Sequence, residues 1–425
     1  MKLILTIIDG LGDRPCINNK TPLEAAKTPN LDFLAKNGET GLVYPVKGIA
    51  PESDSAICSI LSYNVMNNYP GRGVFEAYGQ GIKIKDGDLA LRINFATVKN
   101  GKLIERRAGR TLTTKEGEKL AEEINKKLKF DDKNVSFKLL HSIEHRGILI
   151  IKYKGKKLSK WISNTDPGYQ SYNGIAVAVK NIPEYIQKCK PLKKGAQLSA
   201  DLVNEFIKKS YKILKNHPIN IRRKKKGLLP ANVIITRDSG NKFPNFKSIK
   251  DKFGLKMAVI AGMPLEQGIG KTAGMKVISF NYPEMKNTNV YEHLYNSLRK
   301  EIRVAKRELV KNYKNFDGFY IHFKPTDIPG HDGRPRDKKK MIEILDSEFY
   351  SWLRNRFQND LIVVTADHST PCKLKAHSAD PVPLLIYSPK TEKDKVEKYS
   401  ENACKKGSIT LEGKQLMSFI RKSLK

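Results

Sequence analysis

The chain alternates two kinds of hydrophobic pattern. Short continuous apolar runs occupy Lys2–Ile8, Asn232–Arg237, Met257–Ala261, Lys276–Phe280, Phe316–Phe323, Leu361–Ala366 and Pro383–Ser388. Their length and their bounding turn residues predict strands buried on both faces. Between them lie stretches whose apolar residues recur near helical spacing: Leu294, Leu298, Ile302 and Leu309 within Asn289–Tyr313, and Ile342, Leu345, Phe349 and Leu353 within Lys338–Arg356. Strand alternating with amphipathic helix predicts an α/β core, a mostly parallel sheet covered by helices on both faces.

The middle of the chain reads differently. Helical patterns at Lys115–Lys129 and Ala200–Asn216 accompany short alternating strands, Val135–Leu140 and Gly147–Tyr153. This predicts an inserted α+β domain, entered near Tyr69–Gly71 and left through the Asn-, Pro- and Lys-rich segment Gly240–Phe246. The expected organisation is a discontinuous core domain, residues 1–68 and 247–425, with the insert at 69–246.

Composition narrows the function. The 425 residues are 39% hydrophobic and 29% charged, and no run approaches the roughly 18 apolar residues of a membrane span. The opening apolar run stops at Asp9 without a small-residue cleavage pattern and is read as a strand, not a signal peptide. Five widely spaced cysteines without a C-x-x-C pair fit a reducing, cytoplasmic setting and no structural zinc cluster. The formal net charge of +34 attracts polyanions and small phosphorylated metabolites alike. Lysines are nevertheless scattered over many helix faces, and the dense cluster "RRKKKG", Arg222–Gly227, is read as a solvated basic loop, so nucleic acid is set aside as a partner.

Three predicted strands end in acidic residues. Ile8 leads to Asp9 in "IIDGLGDRP", Phe323 to Asp327 and His331 in "HFKPTDIPGHD", and Ala366 to Asp367 and His368 in "VVTADHSTP". His377 in "HSADP" stands before the strand at Pro383. Pro325, Pro329 and Gly330 argue against a helix between Asp327 and His331, so a loop is expected to join that pair. Loops at the carboxyl ends of parallel strands converge on one crevice, where these distant side chains can meet. Six carboxylate and imidazole ligands exceed the needs of one ion with an open position and fit two divalent cations, a pairing suited to phosphoryl transfer. In "APESDSAICSILSYN" a helix is expected to open near Ser53 and Ser55, placing a hydroxyl beside free N–H groups, either as a nucleophile or simply as an N-cap.

In order, "DGLGDRP", "ESDSAICSILSY", "GRGVFEAYG", "INFATVKNGKLIERRAGR", "HPIN", "HFKPTDIPGHD", "TADHSTP" and "HSADPVPLLI" resemble the archaeal-type cofactor-independent phosphoglycerate mutases of the alkaline phosphatase superfamily. The likeness runs from about Leu3 to about Ser388. It implies an alkaline-phosphatase-like core and two divalent ions (manganese, magnesium, cobalt or zinc). Asp327, His331 and His377 would surround one ion; Asp9, Asp367, His368 and the nucleophile Ser53 would surround the other. It further implies a phosphoserine intermediate converting 3-phosphoglycerate to 2-phosphoglycerate, without a 2,3-bisphosphoglycerate primer. The insert would hold the glycerate, with Arg106, Arg107, Arg110, His145, Arg146 and Asp166 on the family's motifs and Lys324 beside the metal loop. Arginine suits that task because its planar fork matches carboxylate and phosphate oxygens. The chain departs from the resembled pattern at Glu52, where a small residue is usual, and at Ile57 and Gly168, where histidine is common. Those departures keep open a phosphatase or phosphotransferase on the same site. A basic binding protein on a degenerate scaffold is the third reading.

Overall fold

The computed structural model describes residues 1–65, 69–172, 175–179, 181–283 and 289–424. The chain divides into two compact units. The first comprises Met1–Asn67, Phe246–Pro283 and Tyr291–Lys425; the second comprises Asn68–Asn245 and Glu284–Val290.

The strands in chain order are β1 (Leu3–Ile8), β2 (Glu39–Tyr44), β3 (Leu89–Lys99), β4 (Lys102–Glu105), β5 (Val135–His141), β6 (Arg146–Tyr153), β7 (Tyr169–Tyr172), β8 (Ile175–Ala178), β9 (Val233–Gly240), β10 (Met257–Ala261), β11 (Lys276–Ser279), β12 (Gly318–Phe323), β13 (Leu361–Thr365), β14 (Val382–Tyr387) and β15 (Ile409–Glu412). The first unit holds an eight-stranded sheet ordered β11-β10-β12-β1-β13-β14-β2-β15. Neighbours pair in parallel except around β14, which runs antiparallel to both β13 and β2. Every residue of β1, β12 and β13 is buried, as expected for central strands that carry helices on both faces.

The register sets the position of the site. Ile8 pairs with Phe323 and Ile7 with Thr365, so β1, β12 and β13 end at one level. Because β14 is antiparallel, the segment preceding it lies at the same edge as the segments that follow the other three. Asp9, Lys324, Asp367 and His377 are thereby delivered to one place by strands distant in sequence.

Two expectations are corrected. Asp327–Asp332 is a short helix and not a loop, closed by Gly333 at φ 66°. Pro329 is tolerated because it sits at the third helical position, where the N–H has no intrahelical acceptor to lose. The "RRKKKG" segment is also helical, Pro218–Lys225, and ends at Gly227 with φ 71°. Arg223 turns inward, donating to Glu116 at 2.8 Å, to the Thr111 hydroxyl at 2.8 Å and to the Leu229 carbonyl at 2.9 Å, while its basic neighbours remain exposed.

The second unit is α+β. Its antiparallel sheet runs β4-β3-β6-β5, with β9 also on β3, and β7 and β8 form a separate hairpin. The apolar faces of helices Thr114–Lys127 and Gln197–Lys215 bury Leu120, Ile124, Val203 and Phe206 with Leu91, Ile93, Phe95 and Ile151 of the sheet.

Candidate active site

Asp9 is fully buried after β1, and one of its oxygens accepts from Nε2 of His322 at 2.9 Å. Lys324 donates to the same oxygen and, at 3.0 Å, to Oγ of Ser53. His368 Nε2 lies 3.3 Å from Ser53 Oγ, 3.5 Å from Asp9 Oδ1 and 3.4 Å from Asp367 Oδ2. On the other side, His331 Nε2 stands 3.3 Å from Asp327 Oδ2 and 3.1 Å from His377 Nε2, which is 3.7 Å from Asp327 Oδ1. The fold thus brings together Asp9, Ser53, Lys324, Asp327, His331, Asp367, His368 and His377. Gly10 permits the convergence: at φ 62°, a Cβ there would lie 2.5 Å from Asp327 Oδ1.

Ser53 opens the helix Ser53–Ile60, but the N-cap is Glu52, so the Ser53 hydroxyl is not consumed as a cap. Ser55 instead donates to the Glu52 carbonyl at 3.0 Å.

The hydrogen bonds assign the imidazole tautomers. His331 Nδ1 faces the Lys375 carbonyl at 3.2 Å, and His377 Nδ1 faces the Pro51 carbonyl at 2.8 Å. His368 Nδ1 faces Thr370 Oγ1 at 3.1 Å, and that hydroxyl already donates to Asp327. Each Nδ1 therefore carries a hydrogen, and each Nε2 presents a lone pair. Two such lone pairs only 3.1 Å apart at His331 and His377, beside a carboxylate, call for a cation between them. Asp9 Oδ1 and Asp367 Oδ2 are likewise buried without a hydrogen-bond partner among the described residues. This donor set fits divalent metal ions.

Electrostatics agree. Burial raises the Asp367 carboxyl to about 7, reinforced by the Asp9 charge. Burial pushes Asp9 up as well, but Lys324 and the His322 hydrogen bond outweigh it and bring that group to about 2. Burial, together with His377, lowers His368 to about 3, which keeps the imidazole neutral and able to ligate.

Cations cluster separately in the second unit. Arg106 makes a two-pronged pair with Asp166 at 2.6 and 2.9 Å. Arg146 donates to Glu144 at 3.1 Å. His145 is buried and held well below the usual histidine range by burial and by Arg146, Arg107, Arg110 and Arg92. Burial and Arg110 lower Arg107 to about 10. The turn between Arg107 and Arg110 is strained, with Ala108, Gly109 and Arg110 at φ 47°, 69° and 55°.

The family model for 2,3-bisphosphoglycerate-independent phosphoglycerate mutase matches residues 35–220. The enzyme of that name from Aeropyrum pernix is 39% identical over 96% of this chain and 96% of its own. That from Methanocaldococcus jannaschii is 37% identical over 99% and 96%. The chain belongs to the 2,3-bisphosphoglycerate-independent phosphoglycerate mutase family. Membership places it among the isomerases. Among solved structures, the cofactor-independent phosphoglycerate mutase of Thermoplasma acidophilum matches with a TM-score of 0.59 and 30% identity, over 100% of both chains. A Pyrococcus horikoshii protein matches with a TM-score of 0.75 and 29% identity, over 99% of this chain and 96% of its own.

The departures from the resembled pattern have structural counterparts. Ile57 is buried in the core. Gly168 leaves room for Arg106, since a Cβ there would fall 2.2 Å from the guanidinium carbon, so any side chain at 168 obliges that guanidinium to shift. Glu52 is buried, with its carboxylate 3.2 Å from His377 Nδ1.

Sequence reasoning missed His322, Glu266 and a group of arginines. His322 donates to Asp9 and receives the Tyr320 hydroxyl at 2.7 Å, so it orients a candidate ligand. Glu266 lies buried 3.5 Å from Lys324. In the second unit, Arg72 and Arg92 flank the buried Glu76 at 2.7 and 3.7 Å, and Arg237 stacks on Tyr169 at 3.6 Å. The available signal was a charged or imidazole residue inside an otherwise apolar strand, as in "LALRINF" and "GFYIHF".

Proposed function

We propose that this isomerase interconverts 3-phosphoglycerate and 2-phosphoglycerate through a phosphoserine on Ser53, with two divalent ions and no bisphosphoglycerate primer, as a step of glycolysis or gluconeogenesis. The observation that carries the reading is the Ser53 hydroxyl itself. It stands free of capping, between His368 Nε2 and the Lys324 ammonium, in a site where two buried carboxylate oxygens lack hydrogen-bond partners among the described residues.

Asp327, His331 and His377 would hold one ion, and Asp9, Asp367, His368 and Ser53 the other. When bound, such ions lower the pKa of a hydroxyl and neutralise phosphoryl oxygens. The chain's own groups do the rest. Ser53 Oγ gives up its proton and attacks the phosphorus of 3-phosphoglycerate, forming the Oγ–P bond as the bond from phosphorus to O3 of glycerate breaks and O3 takes up a proton. Lys324, 3.0 Å from Oγ, supports the alkoxide before attack and the same oxygen when it leaves. The reoriented glycerate then takes the phosphoryl group on O2, restoring Ser53. Because the group passes to serine and back, no water is consumed.

In the second unit, the cluster of Arg107, Arg110, Arg146 and neutral His145 suits the anionic oxygens of the substrate. Arg106, paired with Asp166, serves as a fixed support, and Asp166 holds its orientation.

The test is 3-phosphoglycerate turnover by wild type and Ser53→Ala, with and without a chelator. Isomerisation without stoichiometric phosphate release, lost in the alanine variant and on chelation, is expected. Full turnover by Ser53→Ala would exclude this serine, and phosphate release matching substrate loss would make the protein a hydrolase.

A further inference from the structure

The contact between Glu52 and His377 has no part in the reaction described above, yet it is specific. Glu52 is the N-cap of the helix Ser53–Ile60 but makes no side-chain cap bond. Its Oε1 lies 3.2 Å from Nδ1 of His377 as a charge contact and not as a hydrogen bond, and Glu52 is only 4% exposed. The same Nδ1 is 2.8 Å from the Pro51 carbonyl. Both neighbours are acceptors when the carboxyl is ionised, so Nδ1 holds its hydrogen and the Nε2 lone pair is left to face Asp327 and His331.

All three imidazoles have a neutral acceptor at Nδ1, and His377 has the Glu52 charge beside it as well. His331 Nδ1 has the Lys375 carbonyl behind it, and His368 Nδ1 has the Thr370 hydroxyl, both neutral. The Pro51 carbonyl takes the N–H and fixes the ring, while a carboxylate charge this close favours positive charge on the imidazole and so raises the basicity of the opposite nitrogen.

We infer that Glu52 is a positioning residue that acts through His377, strengthening the cation site formed with Asp327 and His331 and tying it to the chain segment that carries Ser53. The inference rests on the reading of His377 as a ligand. Residue 52 is covalently next to Ser53, so the contact that orients the ligand also holds the start of the nucleophile's helix. A carboxylate beside a phosphoryl acceptor would otherwise repel the incoming group; engaged with His377, its charge is turned to use.

The experiment is Mn2+ titration of the metal-stripped full chain, reading free ion by electron paramagnetic resonance, for wild type, Glu52→Gln, Glu52→Asp and His377→Ala. Outer partners of this kind typically change metal affinity about 10–100-fold. Glu52→Gln keeps the shape and loses the charge, and it is expected to weaken one of two sites about tenfold or more while melting of the stripped protein is unchanged. Glu52→Asp, which keeps the charge, is expected to retain more affinity than the glutamine variant. If His377→Ala loses a site and Glu52→Gln binds within about twofold of wild type, the role of Glu52 is wrong and the ligand assignment stands. If His377→Ala binds both ions normally, the ligand assignment itself fails. Nitrogen-15 spectra of the wild-type imidazoles supply an independent check: His377 is expected as the Nδ1–H tautomer, and an Nε2–H tautomer would overturn the inference even if the variants do not fold.

Discussion

Lys338 is the sharpest place to test how the ligand loops are held together. Its ammonium is fully buried and donates to the Gly12 carbonyl at 3.1 Å, to Asp13 Oδ2 at 2.9 Å and to the Thr370 carbonyl at 3.0 Å. Gly12 and Asp13 belong to the segment after β1, which begins with Asp9; Thr370 belongs to the segment after β13, which begins with Ala366, Asp367 and His368. One cation therefore clamps two groups of candidate ligands. Replacing it with methionine keeps most of the volume but leaves Asp13 a buried charge that, among the described residues, keeps the N–H groups of Arg14 and Cys372 and the Cys16 thiol as donors. Breaking a buried pair from one side costs about 3–5 kcal/mol, whereas replacing both partners with apolar groups is far milder. Lys338→Met is thus expected to lose about 3–5 kcal/mol, and Lys338→Met with Asp13→Leu to recover a large part of that loss. Urea unfolding of the four proteins in the double-mutant cycle measures the coupling. A loss below about 1 kcal/mol in the single variant, or simple additivity in the double, would refute the argument that this ammonium is the clamp.

Three further outcomes follow from the geometry. Gly10→Ala, at φ 62° and with its Cβ 2.5 Å from Asp327 Oδ1, is expected to lose ~1–2 kcal/mol to the left-handed conformation and, by displacing Asp327, to weaken metal binding by a larger factor, measurable by calorimetric titration of the stripped protein. Gly168→His obliges the Arg106 guanidinium to shift from its place on Asp166, so KM for 3-phosphoglycerate is expected to rise severalfold while metal affinity stays constant; an unchanged KM would show that the position of the pair does not matter for substrate. Burial raises the Glu401 carboxyl from 4.5 to about 7, so the folded chain favours its protonated form. Its contribution to stability is complete below about 4.5 and is lost as pH rises through 7. Glu401→Gln, which can still accept from the Asp13 N–H, is expected to gain Tm relative to wild type between those pH values, and a difference independent of pH would contradict the assignment.

The legible part of this protein lies in its central strands. Apolar runs at β1, β10, β12, β13 and β14 stand out because strands covered on both faces need hydrophobic residues at every position, and such runs cannot be disguised. The edge strand β15 and its neighbour β2 carry polar residues and left no comparable trace. The helix at Asp327–Asp332 was hidden by its proline, since a residue that breaks a helix interior is harmless in the first turn. Arg223 was hidden inside a charge run, where composition points to solvent and only the fold supplies Glu116 and the Thr111 hydroxyl. His322 and Arg92 were passed over as members of strands, although a polar group in such a position has to find a partner or a function.

What the amino-acid order determined alone is which strands are central and which residues follow them, because burial and chain connectivity are local properties of the pattern. The tertiary structure decided everything that depends on direction: which nitrogen of each imidazole keeps its hydrogen, which oxygens of Asp9 and Asp367 are left without donors among the described residues, and that the Glu52 carboxylate lies beside His377. Those choices arise when groups hundreds of residues apart are desolvated together, and no local pattern encodes the partner that each then requires.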